Sequence, residues 1–177
     1  MSTSIDPVAE LPVSDGVWSI EPHRSEIGFA VKAMYGLMTV RGVFGACDGT
    51  LTVGTDSVAG QLAIRTDSLD TGNRKRDRHL RSSDFFDAER NPQIMFTTTA
   101  VIARDRGLTL TGELTIGSEC QPLEIPVDVV PTADGAVQLD GRTTISRAAI
   151  GIAWNRLGMI GDDAQVSAQL TLTRAPT

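Results

Sequence analysis

Cysteine is scarce in this chain of 177 residues: Cys47 and Cys120 lie far apart and in neither CxxC nor zinc-type spacing. At this length a single domain buries a core without covalent staples. The two thiols are therefore expected to be reduced and partly buried, and any bridge between them would depend on Cβ geometry. Histidine is just as sparse. His23 and His79 cannot supply the three or four converging ligands of a metal site, so no metal and no cofactor are expected. GxSxG is absent, and the nearness of Ser25 to His23 is sequence proximity only. No run approaches the roughly 18 apolar residues of a membrane span, so no integral membrane segment is expected. Residues 1–16 have neither a basic nor an apolar block; they contain Pro7 and Pro12 and read as a flexible tail rather than an export signal. A cytoplasmic protein is the corresponding expectation, with the folded domain over residues 17–177.

Net positive charge is also missing. The formal charge is −6 and the pI about 4.8, a balance that repels phosphate backbones and sets the expectation of no nucleic-acid partner. Hydrophobic content of 41% with 21% charged residues excludes wholesale disorder.

From Val17 onward the dominant sequence period is two. Ile27, Phe29 and Val31 share one face of their segment, and Leu108, Leu110, Gly112, Leu114 and Ile116 share one face of another. Val166, Ala168, Leu170 and Leu172 alternate with polar neighbours near the end. Successive strand side chains point to opposite faces, so each segment has one apolar and one polar side. The same pattern recurs at 40–44, 49–53, 58–66, 94–102, 123–129 and 137–147, punctuated by turn signals at Gly45, Gly54, Gly107, Gly117 and Gly135. Short turns join antiparallel strands. Eight or more strands, each with one apolar face, predict an all-β antiparallel sandwich or barrel.

One segment departs from that rhythm. Asn73 can cap a helix running to Ser82, with a tight turn then carrying Phe85 and Phe86 inward. A second short helical or irregular piece is expected over 147–154. The run Arg74-Lys75-Arg76-Asp77-Arg78-His79-Leu80-Arg81 reads as a solvated face with an Asp77–Arg81 pair, or as a basic patch for an anionic head group. Asp77 and His79 stand two apart on this helix and face different ways, which disfavours an acid/base pair; no enzymatic activity is expected. A barrel of about eight strands holds either its own side chains or one slender ligand. Eight aromatic residues in all, and small inward positions at Gly42, Gly60, Ala100, Gly112, Gly141 and Ala168, suggest an under-filled apolar interior.

The helix segment Gly72-Asn73 with Arg76 to Asp87, followed by Pro92 and Phe96, resembles the signature of the YceI family. Glu21-Pro22 with Ser25, Gly28, Phe29 and Val31 resembles its first strand, and Thr39 to Phe44 the next. Arg147, Gly151-Ile152, Trp154-Asn155, Gly161-Asp162 and Val166 resemble its last quarter. The resemblance spans roughly Val17 to Arg174. It implies a lipocalin-like barrel with a helix packed beside it, binding of a polyisoprenoid chain such as a polyprenyl phosphate or quinone-like lipid, and a homodimer; it carries over no catalytic residue. Many members are exported to the periplasm. The chain departs from the family pattern at Arg24, where a histidine is common, at Lys32-Ala33-Met34-Tyr35, and at Gly117-Ser118 with Cys120 in a threonine position. Under this reading Phe29, Val31, Val40, Phe44, Leu62, Ile64, Phe96, Leu110, Leu114, Ile145, Val166 and Leu170 are expected to line a tunnel, with Arg41 and Arg78 as head-group contacts. Two rival readings are a filled barrel acting through its surface and a lipid-modifying enzyme using His79 and Asp77.

Overall fold

The computed structural model describes residues 13–55, 57–104, 107–152 and 158–176. Alternation of threonine and β-branched residues with apolar ones gives eleven strands among the described residues: β1 Gly16–Ile20, β2 Glu26–Ala33, β3 Met38–Phe44, β4 Cys47–Val53, β5 Val58–Arg65, β6 Leu69–Asp70, β7 Gln93–Ala103, β8 Leu108–Ile116, β9 Glu119–Pro131, β10 Val137–Ser146 and β11 Asp163–Arg174. Helix α1 spans Arg74–Arg81. Every pairing between these strands is antiparallel.

Eight strands close a ring in the order β1-β4-β5-β7-β8-β9-β10-β11, sealed where Trp18–Ile20 of β1 pair with Leu172–Arg174 of β11. Closure removes the exposed sheet edge that an open antiparallel sheet would carry. Further along the same edge of β11, residues 164–169 pair with β2 instead. β1 and β2 thus act as one long strand broken by the 3₁₀ turn Pro22–Arg24, and β3 and β4 are broken likewise at Gly45-Ala46. The first break is stitched to β11: the Thr171 amide donates to Ser25 Oγ at 3.0 Å, and the Thr171 hydroxyl donates to the Arg24 carbonyl at 2.9 Å. Ser25 therefore serves the backbone.

Beyond the breaks, β2, β3 and β6 flare away from β5 and β7. Helix α1 and the turn after it cover the gap. The Asn73 side chain accepts from the Arg76 amide at 3.0 Å, the cap expected from the sequence. Phe29, Phe44 and Phe86 form an aromatic chain across the gap, with ring centroids 5.5 and 5.6 Å apart. The core runs the length of the ring, from Val13 and Trp18 to Ile116, Ile145 and Ile152.

Several expectations need correction. The small inward residues do not create the empty space. A Cβ at Gly42 would lie 2.5 Å from the Phe29 ring, and one at Gly112 would lie 2.7 Å from the Phe96 ring; neighbouring aromatics already occupy those gaps. Leu51 crosses Gly60, and Ile125 and Val127 cross Gly141. Ala100 is exposed, because a bulge between Thr98 and Ala100 reverses the alternation of β7 and turns Val101 inward in its place. Asp77 does not pair with Arg81. It is buried and accepts from the Thr71 amide at 2.9 Å and from the Thr71 hydroxyl, while Arg81 Nη2 donates to the Leu69 carbonyl. The thiols are unlike one another: Cys47 is buried and Cys120 exposed, and both are free. Burial, and then the neighbouring Asp48 charge, push the Cys47 thiol above its usual pKa. By contrast, the short helical or irregular piece expected over 147–154 is present as a 3₁₀ turn at Ala148–Ile150; Trp154 and Asn155 lie outside the described residues.

Candidate functional site

The flared end encloses a cavity of about 260 Å³. Its walls come from β2 (Phe29, Val31), β3 (Val40, Phe44), β11 (Ala164, Val166) and the strands opposite (Ile64, Leu114, Ile145). Ile27 of β2, Ile94 of β7 and Ile116 of β8 complete the wall, so the lining is almost wholly hydrocarbon. Helix α1 and its following turn form the roof through Arg76, His79, Leu80, Phe85 and Phe86.

Among the described residues, Arg76, His79 and Arg147 are the basic groups that touch this otherwise apolar space. Arg76 is half-buried; its Nε donates to Thr71 Oγ1 at 2.8 Å and its Nη2 to the Thr71 carbonyl at 2.9 Å. Thr71 in turn donates to Asp77, so the buried carboxylate fixes the threonine that fixes the arginine. His79 Nε2 lies 2.9 Å from Asp84 Oδ2, and its ring stands edge-on to Phe85 at 5.1 Å. Arg147 is buried at the opposite wall. It donates to the carbonyls of Gly161 at 2.7 Å, Ile152 at 3.0 Å and Ile160 at 3.2 Å. Burial lowers its pKa, a shift opposed by the neighbouring Asp162 charge. The Asp162 carboxyl is held below its usual range by the Ser146 hydroxyl and then by the Ala148 amide, which donate to it. Arg147 thus laces both ends of the loop after β10 against the cavity wall.

Of the residues expected to line a tunnel, Phe29, Val31, Val40, Phe44, Ile64, Leu114, Ile145 and Val166 meet in this cavity. Leu62, Phe96, Leu110 and Leu170 pack against the core instead and lie outside the cavity wall. Arg41 is exposed on the outer face of β3, one residue out of phase with the cavity-lining Val40, and Arg78 is exposed on the outer face of α1. Arg76 and Arg147 take the positions near the cavity. For Arg76 a sequence signal existed: it shares the helical spacing with Leu80 that marks the inward face. Arg147 was marked only by the family resemblance of its segment; no local pattern shows its role, which depends on carbonyls 5 to 14 residues away in a loop. Among the described residues no cluster of His, Cys, Asp and Glu could hold a metal ion, and no helix is long and apolar enough to cross a membrane.

A closed eight-stranded antiparallel ring with one helix over an apolar end cavity defines a lipocalin-like barrel. The profile of the YceI-like domain matches residues 18–172, and the chain belongs to that family. Protein YceI of Escherichia coli O17:K52:H18 (strain UMN026 / ExPEC) is 31% identical over 117 residues, covering 64% of this chain and 61% of the relative. A UPF0312 protein of Pseudomonas aeruginosa (strain LESB58) matches with the same identity and coverage. The chain thus spans 61% of the length of these curated relatives. Among solved structures, Burkholderia cenocepacia BcnA superposes with a TM-score of 0.79 at 22% identity, over 87% of this chain and 99% of that one. A polyisoprenoid binding domain from Saccharophagus degradans, described as implicated in plant cell wall breakdown, superposes with a TM-score of 0.72 at 15% identity, over 90% and 98%. At these identities the superpositions establish the fold.

Proposed function

We propose that the protein binds and carries an isoprenoid-type lipid, with the apolar tail in the end cavity and an anionic or polar head group beside Arg76. The observation that carries this reading is the cavity itself: about 260 Å³ walled by hydrocarbon, with cationic groups at its margin. An apolar cavity of about 150 Å³ suffices to hold benzene. Unfilled apolar volume destabilises a fold, so a barrel that retains it is better off occupied. Each buried CH₂ contributes about 0.8 kcal/mol, so a few isoprene units supply most of the affinity and the arginine sets orientation. Because Leu62, Phe96, Leu110 and Leu170 lie outside the cavity wall, this reading places the terminal part of a long chain inside and lets the remainder leave past α1. Family membership and the polyisoprenoid-binding domain of shared fold support the same ligand class. A cytoplasmic homodimer is the expected form, read by cell fractionation and sedimentation velocity.

The test is organic extraction of freshly purified protein followed by mass spectrometry. The wild type should yield a prenyl lipid at near-stoichiometric amount. Ala164 lines the cavity between Val31 and Ile145, its partners on β2 and β10. Ala164→Phe should fill the space and cut the extracted lipid about tenfold, roughly 1.4 kcal/mol of affinity. Equal lipid in both proteins, with both folded, would sink the assignment.

A further inference from the structure

The tip of the β2–β3 hairpin does something a water-exposed turn has no reason to do. Met34, Tyr35, Leu37 and Met38 follow one another almost without interruption, and all are exposed, Leu37 at 90% and Tyr35 at 72%. Met34, Tyr35 and Gly36 all have positive φ (52°, 57° and 87°), a region that ordinary side chains avoid. The backbone closes there through Gly36 N to Ala33 O at 3.1 Å and Leu37 N to Met34 O at 3.2 Å, leaving the apolar side chains at the apex. Single exposed apolar residues need no explanation, but a contiguous set on one projecting turn marks a contact surface.

Two observations say what that surface meets. The first is continuity with the cavity. Ala33, at the base of the tip, lines it, and the Tyr35 amide donates to the Met159 carbonyl, joining the tip to the segment whose Ile160 also lines it. The second is charge. In a chain with 22 acidic residues and net charge −6, no Asp or Glu falls between Glu26 and Asp48, a stretch that includes the whole tip together with Lys32 and Arg41. Helix α1, which roofs the same cavity, holds five Arg or Lys and one Asp, and that Asp77 is buried beneath it. Arg74, Lys75 and Arg78 are exposed. An apolar tip and a basic helix that border the same cavity, on an otherwise acidic molecule, match an anionic bilayer: apolar and aromatic side chains enter the headgroup region while basic ones meet the lipid charge.

We propose that the β2–β3 tip and the basic face of α1 form a membrane-surface anchor that sets the cavity end of the barrel against anionic phospholipid. This deepens the carrier reading and rests on it, since the anchor places the binding cavity where an apolar ligand can pass without crossing water. The tip inserts and the helix steers; neither spans the bilayer.

The experiment is co-sedimentation of the full chain with vesicles of phosphatidylglycerol and phosphatidylethanolamine, and with vesicles of phosphatidylcholine alone. The wild type should sediment with the first and much less with the second, and added salt should weaken the binding. Met34→Ser/Leu37→Asp should lower the vesicle-bound fraction about tenfold, and Lys75→Glu/Arg78→Glu should lower it by a similar factor. Both pairs are exposed, so the fold should survive, as circular dichroism and melting would verify. Equal sedimentation of wild type and tip variant, or no sedimentation of the wild type, overturns the anchor. So does a concentration-dependent dimer abolished by Leu37→Asp without vesicle binding, which would assign the tip to a second copy. Lipid extraction on the same preparations separates the two ideas. Vesicle binding by a protein that never carries lipid leaves the anchor standing and removes the carrier; a lipid-loaded protein that ignores vesicles does the reverse.

Discussion

Asp134 shows how a turn residue sets behaviour that the turn alone would not reveal. It sits in the β9–β10 turn, where the Thr132 hydroxyl, the Ala136 amide and Arg24 from the β1–β2 break all donate to its carboxylate. These bonds favour the charged form and bring its pKa down to about 2 from 3.8, the Thr132 bond contributing most. A carboxyl whose folded pKa lies below its unfolded one adds stability above the unfolded value and loses it as acid protonates the folded state. The contribution should therefore be complete above pH 3.8 and vanish as the pH falls through about 2. Melting temperatures of wild type and Asp134→Asn, recorded from neutral pH downward, should differ at neutral pH and converge over that acid window. A constant gap would show that the carboxylate charge is not what matters. The residue is exposed, so the effect should be modest.

At the scale of elements, the cavity depends on two non-strand pieces clamped by charged side chains. Helix α1 is held through the Arg76–Thr71–Asp77 chain, and the segment after β10 through Arg147. Arg147→Met keeps most of the apolar stem but removes the donors to three carbonyls. Leaving buried acceptors unpaired should cost about 1–3 kcal/mol in urea denaturation. Amide hydrogen exchange should quicken in residues 147–152 and 158–162 while β1 and β4, which supply no residue to the cavity wall, keep their protection. Uniformly faster exchange throughout the barrel would mean that the arginine supports the whole fold and not the loop.

For the whole molecule, the ring of eight strands supplies rigidity and the end cavity gives up some of it. A ligand that binds only the folded state stabilises it by mass action, by about 2.7 kcal/mol at a hundredfold excess over Kd. For a domain of this size that corresponds to roughly 5–10 °C. Delipidated wild type should thus melt about 5–10 °C below the lipid-loaded form, and Ala164→Phe should melt at the same temperature before and after extraction. A wild type whose melting is indifferent to lipid removal would point to a barrel stable without a guest.

Much of this architecture is written locally. The two-residue period of β2, β8 and β11, the turn glycines at 107, 117 and 135, and the Asn73 cap all act between near neighbours, and the strands and helix formed where those patterns placed them. β6 escaped notice because two residues cannot display a period of two. What the chain order could not convey was which part of the apolar interior stays open. Smallness at Gly42 and Gly112 suggested room, yet Phe29 and Phe96 lie across them. The bulge in β7 turned Ala100 outward. Arg41, by contrast, was legible, since alternation sets it on the opposite face of β3 from the cavity-lining Val40. Whether a volume is filled depends on side chains arriving from strands far apart in sequence, and so does the choice of Arg76 and Arg147 as the cations beside it. Sequence determined the strands, their apolar faces and the capped helix; packing between distant strands decided where the cavity lies and what lines it.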